Sequence, residues 1–234
     1  LQRGLPCITD RVEKENTGKM RNENITSRQV INYLDSLYKP LTPQLGELRK
    51  QAEADFVPII LKDTERFLDV MLRIIKPKRI LEFGTAIGYS SMCFAEICGP
   101  ETQIVTLEAD DEMNVVSRKN IKRLGYEDRI HVVAGDALIT SQYVEGEFDL
   151  IFIDAAKSLY MDFWKEIMKK NCHPGTVIIC DNVLMRGKTA SDDFDPLHKF
   201  RTNMRHMREF LDYITNSDEV ITSVSSAGDG ISMS

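Results

Sequence analysis

Cysteine is scarce in this chain and odd in number. The five, Cys7, Cys93, Cys98, Cys172 and Cys180, form no C-x-x-C pair and mostly lie in apolar runs, which argues against a disulfide framework and reads as the reduced core of a cytoplasmic protein. Long apolar runs are missing as well. Nowhere do the roughly 18 consecutive apolar residues of a membrane-spanning helix occur, and residues 1–19 hold no hydrophobic secretory segment. Positive charge is not in excess: 30 basic residues face 36 acidic ones, a net charge of -6. Indiscriminate binding to phosphate backbones is excluded, and any nucleic acid has to be met locally. Internal repeats and low-complexity blocks are absent too. What is there suits one domain with a sizeable core, since 42% of the 234 residues are hydrophobic and 28% charged. The leading stretch is polar and aperiodic up to Met20, so residues 1–19 are expected to be a disordered tail or an over-extended start, with 20–234 as the single domain.

Hydrophobic periodicity divides that domain in two. Over 20–77 three helical patterns appear: Val30, Ile31, Leu34 and Leu37 after a Thr26 or Ser27 cap, Leu45, Leu48 and Ala52 from Pro43 to about Phe56, and Phe67, Leu68, Met71, Ile74 and Ile75 from about Asp63. Over 78–234 the rhythm changes. The runs RILEF, QIVTLE, RIHVVA, DLIFID and TVIICD are β-branched and apolar, and helix-length segments separate them. Strands apolar on both faces, alternating with helices, predict an α/β fold with a doubly wound, mostly parallel sheet. The final stretch EVITSVSSAGDGISMS has two strand-like runs around Gly228 and Gly230, which predicts a closing hairpin and an antiparallel strand.

In such a sheet, ligands sit beyond the carboxyl ends of the strands. The first strand runs into EFGTAIGYSS, where Gly84 and Gly88 are spaced G-x-x-x-G instead of the G-x-G-x-x-G that cradles a pyrophosphate. A dinucleotide is therefore disfavoured. Glu108 ends the second strand, placed to accept from both hydroxyls of a ribose, and Asp136 with Ala137 follows the third, where an acid can meet an exocyclic amine. Ribose and adenine without pyrophosphate suggest S-adenosylmethionine; read one at a time, the same residues are ordinary turns and helix caps. Asp154 ends the fourth strand and Asp181-Asn182 the fifth. Three oxygen ligands on adjacent strands suit Mg²⁺, leaving positions for two neighbouring oxygens of an acceptor. Carboxylates on adjoining strand ends repel unless a cation or proton intervenes, which weighs against simple caps. Lys157 then stands where a base is needed to take a hydroxyl proton.

Four segments carry a family likeness: ILEFGTAIGYSS, IFIDAAKSLY, CDNVLMRG and GDGISMS. Together they resemble the metal- and S-adenosylmethionine-dependent O-methyltransferases of the catechol and caffeoyl-CoA type, and most of all the bacterial tRNA 5-hydroxyuridine methyltransferases, over about 26–234. The resemblance implies a Rossmann-like class I methyltransferase with a seven-stranded sheet, extra N-terminal helices and a homodimer. It gives Ile60, Glu82, Gly84, Ser90, Glu108, Asp136, Ala137 and Asp154 to the methyl donor, Asp154, Asp181 and Asn182 to the metal, and catalysis to Lys157 with Asp154. Phe83 and Cys180 depart from the residues usual at their positions, and neither is a ligand.

For the acceptor, the resemblance, a basic helix face bearing His198, Arg201, Arg205 and Arg208, and the basic Arg186 and Lys188 directly after the metal pair lead to the expectation of a wobble 5-hydroxyuridine in a tRNA anticodon loop. The alternative is a small catechol-like or caffeoyl-CoA-like substrate. Tyr160, Phe163 and Trp164 offer rings for stacking, though core packing is the safer reading. A nucleotide-dependent oxidoreductase and a non-catalytic RNA-binding module are the further competitors; the missing glycine motif and the metal triad disfavour them.

Overall fold

The computed structural model describes residues 25–234, so Cys7 and the expected tail lie outside the described residues. Three helices come first: α1 (Arg28–Leu37), α2 (Pro43–Ala54) and α3 (Lys62–Ile75). Thr42 caps α2 by accepting from Leu45 N, with Pro43 in the first turn. Lys76 closes α3 in the left-handed region ahead of Pro77.

The sheet follows, with β1 (Arg79–Phe83), β2 (Gln103–Glu108), β3 (Ile130–Ala134), β4 (Leu150–Ile153), β5 (Val177–Asp181), β6 (Ser223–Ser225) and β7 (Ile231–Met233). Between strands run α4 (Tyr89–Cys98), α5 (Asp111–Arg123), the single turn α6 (Ala137–Thr140), α7 (Tyr160–Lys170) and α8 (Arg201–Thr215). The strand order is β3-β2-β1-β4-β5-β7-β6, parallel up to β5 and antiparallel for β7 and β6. The expected doubly wound sheet and its closing hairpin are both present.

Alternation along the strands builds a core on each face. Ile80, Leu150 and Phe152 join Leu68, Leu72 and Phe94 on the side of the N-terminal helices and α4. Leu81, Phe83, Ile151 and Ile153 join Phe163, Trp164 and Phe210 of α7 and α8 on the other. Phe83 meets Phe163 at a ring separation of 4.8 Å. Tyr160, Phe163 and Trp164 are buried core residues, as the safer reading held.

Two helix faces differ from expectation. No residue of α1 is buried; Val30, Leu34 and Leu37 are exposed, the last at 57%. In α3 the inward stripe is Thr64, Glu65, Leu68, Asp69 and Leu72, while Ile74 is 68% exposed. Of the expected face, Leu68 is buried and Phe67 and Ile75 pack against the core; beside them Glu65 turns inward to a buried arginine, Arg49, at 2.7 Å, so an ion pair shares the inward face with the apolar stripe.

Candidate active site

The order of the sheet reverses between β1 and β4, and the crevice beyond that point is the place for a ligand. A cavity of about 810 Å³ opens there, in the range of small-molecule sites.

Its first end is built by the turn after β1. Gly84 has φ 100, and a Cβ on it would lie 2.1 Å from the carbonyl oxygen of Asp154, so only glycine lets this turn pass under β4. Glu108 reaches across to it. Its carboxylate accepts from Ala86 N at 2.7 Å and from Asp110 N at 2.9 Å, which fixes its direction at the cavity wall. Asp136 caps α6 through one oxygen, accepting from Leu138 N at 2.8 Å, and also lines the cavity with Ala137. The cap and a place on the cavity wall thus belong to one side chain. Ile60 and Ser90 line this end as well. The Ile60 carbonyl accepts from Arg49 at 2.8 Å, and Arg49 also donates to Tyr89 of the cavity wall at 3.0 Å. Arg49 itself is buried and 3% exposed.

Glu82 is not at the cavity. It is wholly buried, and its carboxylate accepts from Ser90, Ser91 and Thr106. Burial pushes it from its ordinary 4.5 up to about 7, against the pull of those three hydroxyls and with Asp154 adding to the rise. Thr106 in turn bonds Thr85 at 2.6 Å, so Glu82 ties the glycine turn to β2 from below.

The second end gathers Asp154, Lys157 and Asn182, with Asp181 behind them. Lys157 donates to Asp154 at 2.7 Å, to the Tyr160 hydroxyl at 2.8 Å and to Asn182 at 3.0 Å. The Tyr160 hydroxyl donates onward to the Asp181 carbonyl at 2.8 Å. Desolvation opposes the charge on Lys157, but Asp154 and Tyr160 outweigh it and hold the ammonium well above its ordinary value. The lysine is a firmly held cation here. Asp181 is fully buried; one carboxylate oxygen accepts from Asn182 N at 2.7 Å and the other has no partner. Burial, then repulsion from Asp154, drives its pKa far upward. Among the described residues no group of three or more His, Cys, Asp or Glu side chains is placed to hold a metal. The set here is two carboxylates and an amide. An orphaned buried carboxylate oxygen, a second carboxylate repelling it and a side-chain amide suit a hard cation, and the Lys157 ammonium spans two of the three.

Sequence reading missed Asp229 and Arg49. Asp229 lines the cavity and accepts from Arg186 N through its side chain; the GDG motif was its only signal. Arg49 gave none: apart from Glu53 on the same helix, its partners lie 11 to 40 residues away.

By fold, sheet order and sequence together, this is a class I methyltransferase of the S-adenosylmethionine-dependent kind. Residues 36–234 match the sequence model of a family described as O-methyltransferase, and the chain belongs to that family. It is 34% identical over 178 residues to a catechol O-methyltransferase of Mycobacterium tuberculosis, covering 73% of this chain and 79% of that one. With a caffeoyl-CoA O-methyltransferase of Populus kitakamiensis it shares 29% over 217 residues, 86% of this chain and 89% of the other. Among solved structures, an O-methyltransferase from Bacillus cereus in complex with SAH superposes with a TM-score of 0.74 at 30% identity, over 91% of this chain and 98% of that one.

Proposed function

We propose that the chain transfers a methyl group from S-adenosylmethionine to one of two adjacent oxygens on a small catechol-like or caffeoyl-CoA-like aromatic, with Mg²⁺ or a similar hard cation held by Asp154, Asp181 and Asn182. The observation that carries this is the unpartnered, buried oxygen of Asp181, next to Asn182 of a cavity that Glu108, Asp136 and Ala137 also line. The names of the relatives support the small acceptor.

When bound, the sulfonium supplies an electrophilic methyl group and the divalent ion supplies charge that acidifies and orients the acceptor's oxygens. The residues do the rest. Glu108, its carboxylate already aimed by two N–H groups, accepts from the ribose hydroxyls; Asp136 and Ala137 meet the adenine. Gly84 and Ser90 leave the floor open for the chain of the donor, with Ile60 above and Asp154 near its methionine end. Glu82 supports this floor from beneath it. Lys157 would take the acceptor's hydroxyl proton as a neutral amine, after releasing its own ammonium proton to solvent; a divalent ion held by Asp154 would weaken the hold of that carboxylate on the ammonium. Alignment of donor and acceptor is worth roughly 7 to 11 kcal/mol, against about 10²- to 10⁴-fold for the base, so positioning dominates.

A tRNA wobble 5-hydroxyuridine is the second reading, favoured by the basic face of α8. That face is partly spent within the chain, because Arg208 bonds the carbonyls of Thr189 and Lys188 and pairs with Asp192 at 2.7 Å. A homodimer through the exposed apolar side of α1 also belongs to this proposal, as does a cytoplasmic setting, in keeping with the free cysteines Cys93, Cys98, Cys172 and Cys180. Among the described residues no helix is long and apolar enough to cross a membrane.

The test is methyl-labelled S-adenosylmethionine offered to catechol and to tRNA carrying wobble 5-hydroxyuridine, with and without chelator. Label in catechol, lost with chelator and restored by Mg²⁺, is expected. Label in the tRNA alone overturns the small acceptor, and chelator-insensitive transfer overturns the metal.

A further inference from the structure

The loop after β5 takes a shape that its own residues do not favour. Asn182, Met185 and Arg186 have φ values of 58, 50 and 57. Asparagine tolerates the left-handed region, but methionine and arginine rarely enter it. Such backbone persists only where the surroundings over-determine it, and the partners of the loop's N–H groups show what does so. Val183 N donates to the Gly230 carbonyl and Leu184 N to the Asp229 carbonyl, at 3.0 Å each, while Met185 N donates to the Asn182 carbonyl at 3.2 Å. Arg186 N donates to a carboxylate oxygen of Asp229. Apart from the Met185 turn, then, the loop is moulded on Asp229 and Gly230, and only Asp229 does this through a side chain.

The mould is itself wedged in place. Gly228 N donates to the Asp63 carboxylate of α3 at 3.0 Å, and a Cβ on Gly228 would lie 2.0 Å from Thr64 Oγ1. A Cβ on Gly230 would lie 2.3 Å from the Leu184 side chain and 2.7 Å from Leu184 N. Two bare glycines thus let the strip before β7 press between α3 and the loop, with Asp229 buried between them. The near end of the loop is Asn182, which lines the cavity and whose side-chain oxygen accepts from Lys157 at 3.0 Å. Whatever sets the path of the loop therefore sets the aim of that amide.

We propose that Asp229 is a positioning residue: by taking the Arg186 N–H it fixes the loop that begins at Asn182, and so holds the Asn182 amide where a hard cation needs it. This rests on the reading of Asp154, Asp181 and Asn182 as the metal set, and adds a residue that acts on that set through the backbone. The operative feature is an acceptor oxygen at this place, not a negative charge. A side-chain amide offers the same oxygen.

The test compares Asp229→Ala with Asp229→Asn in the full chain, since only the second keeps the oxygen. Magnesium is titrated calorimetrically into each protein saturated with S-adenosylhomocysteine, S-adenosylhomocysteine is titrated into each protein alone, and backbone amide exchange is followed over residues 183–186. In Asp229→Ala the magnesium Kd is expected to rise about 10-fold or more, and exchange over that segment to quicken by a similar factor. In Asp229→Asn both stay within about 3-fold of the wild type, and the S-adenosylhomocysteine Kd stays within about 3-fold in either variant. Asp229→Ser, whose hydroxyl is too short to reach the Arg186 N–H, replaces the alanine variant if that one does not fold, with the same results expected. An unchanged magnesium Kd in the alanine variant overturns the proposal. So does an asparagine variant as weak as the alanine one, which makes charge the operative feature, and so does a loss of S-adenosylhomocysteine affinity in step with that of magnesium. A wild-type chain that binds no magnesium contradicts the metal reading itself; amide exchange then decides, and equal protection in the wild-type and alanine proteins overturns the positioning of the loop.

Discussion

The two ends of the cavity are built on opposite principles. At the end formed by β1, β2 and β3, Glu82 receives three hydroxyls, Glu108 two backbone N–H groups and Asp136 the N–H groups of α6. At the end formed by β4 and β5, Asp181 keeps an unpartnered oxygen, and Met185 and Arg186 lie in strained backbone. The first end has its acids partnered before a ligand arrives, although burial of Glu82 and the positive φ of Ala86, 46, have their own cost. The second is held open against its own energetics, which is the usual mark of a site that needs a ligand to be satisfied.

Substitutions should separate the two ends by sign. The largest loss is expected at the first: Gly84→Ala drives a Cβ to 2.1 Å from the Asp154 carbonyl, and urea unfolding should show more than about 4 kcal/mol lost or no folded protein. Next is Arg49→Met, which strands Glu65 in the interior and should cost about 3 kcal/mol. Because Arg49 also holds the Ile60 carbonyl, donor affinity should weaken too; a normal donor Kd in this variant would break the link between the N-terminal helices and the donor end.

Glu82 gives a pH signature of comparable size. Its folded pKa, about 7, is above the ordinary 4.5, so its contribution is present below 4.5 and is lost as pH rises through 7. On the order of 3 kcal/mol disappears across that window. Glu82→Gln should flatten the stability profile between about pH 5 and about pH 8; an unchanged slope would show that the carboxyl is not the source.

The smallest change in stability, and the only gain, is expected at the second end. Asp181→Asn removes a buried carboxylate that Asp154 repels, so the metal-free protein should be about 1 kcal/mol more stable while turnover falls roughly 100-fold. A destabilised variant would mean that Asp181 is satisfied in some other way.

Much of this was legible in the sequence. The five apolar runs gave the parallel strands in their correct places, because strands buried on both faces leave an unmistakable pattern. The acids at their carboxyl ends pointed to the crevice for the same reason. Asp154, Lys157, Asn182, Gly84, Ile60, Ser90, Glu108, Asp136 and Ala137 all line it. What could not be read was pairing across distance. Glu82 looks like a strand-end acid but alternation turns it inward, away from the cavity. The burial of Glu65 on the inward face of α3 depends on Arg49, 16 residues away, and the role of Asp229 depends on a contact with Arg186 43 residues before it. The apolar side of α1 carries the spacing of a core helix and yet is exposed; periodicity reveals a face, not what covers it.

Magnesium titrated calorimetrically into the donor-saturated protein bears most directly on the central claim. One binding event in the wild-type chain that disappears in Asp181→Asn, together with labelled-methyl transfer that tracks its occupancy, is the predicted result. Binding that is equal in the two proteins, or transfer that continues undiminished in chelator, would contradict it.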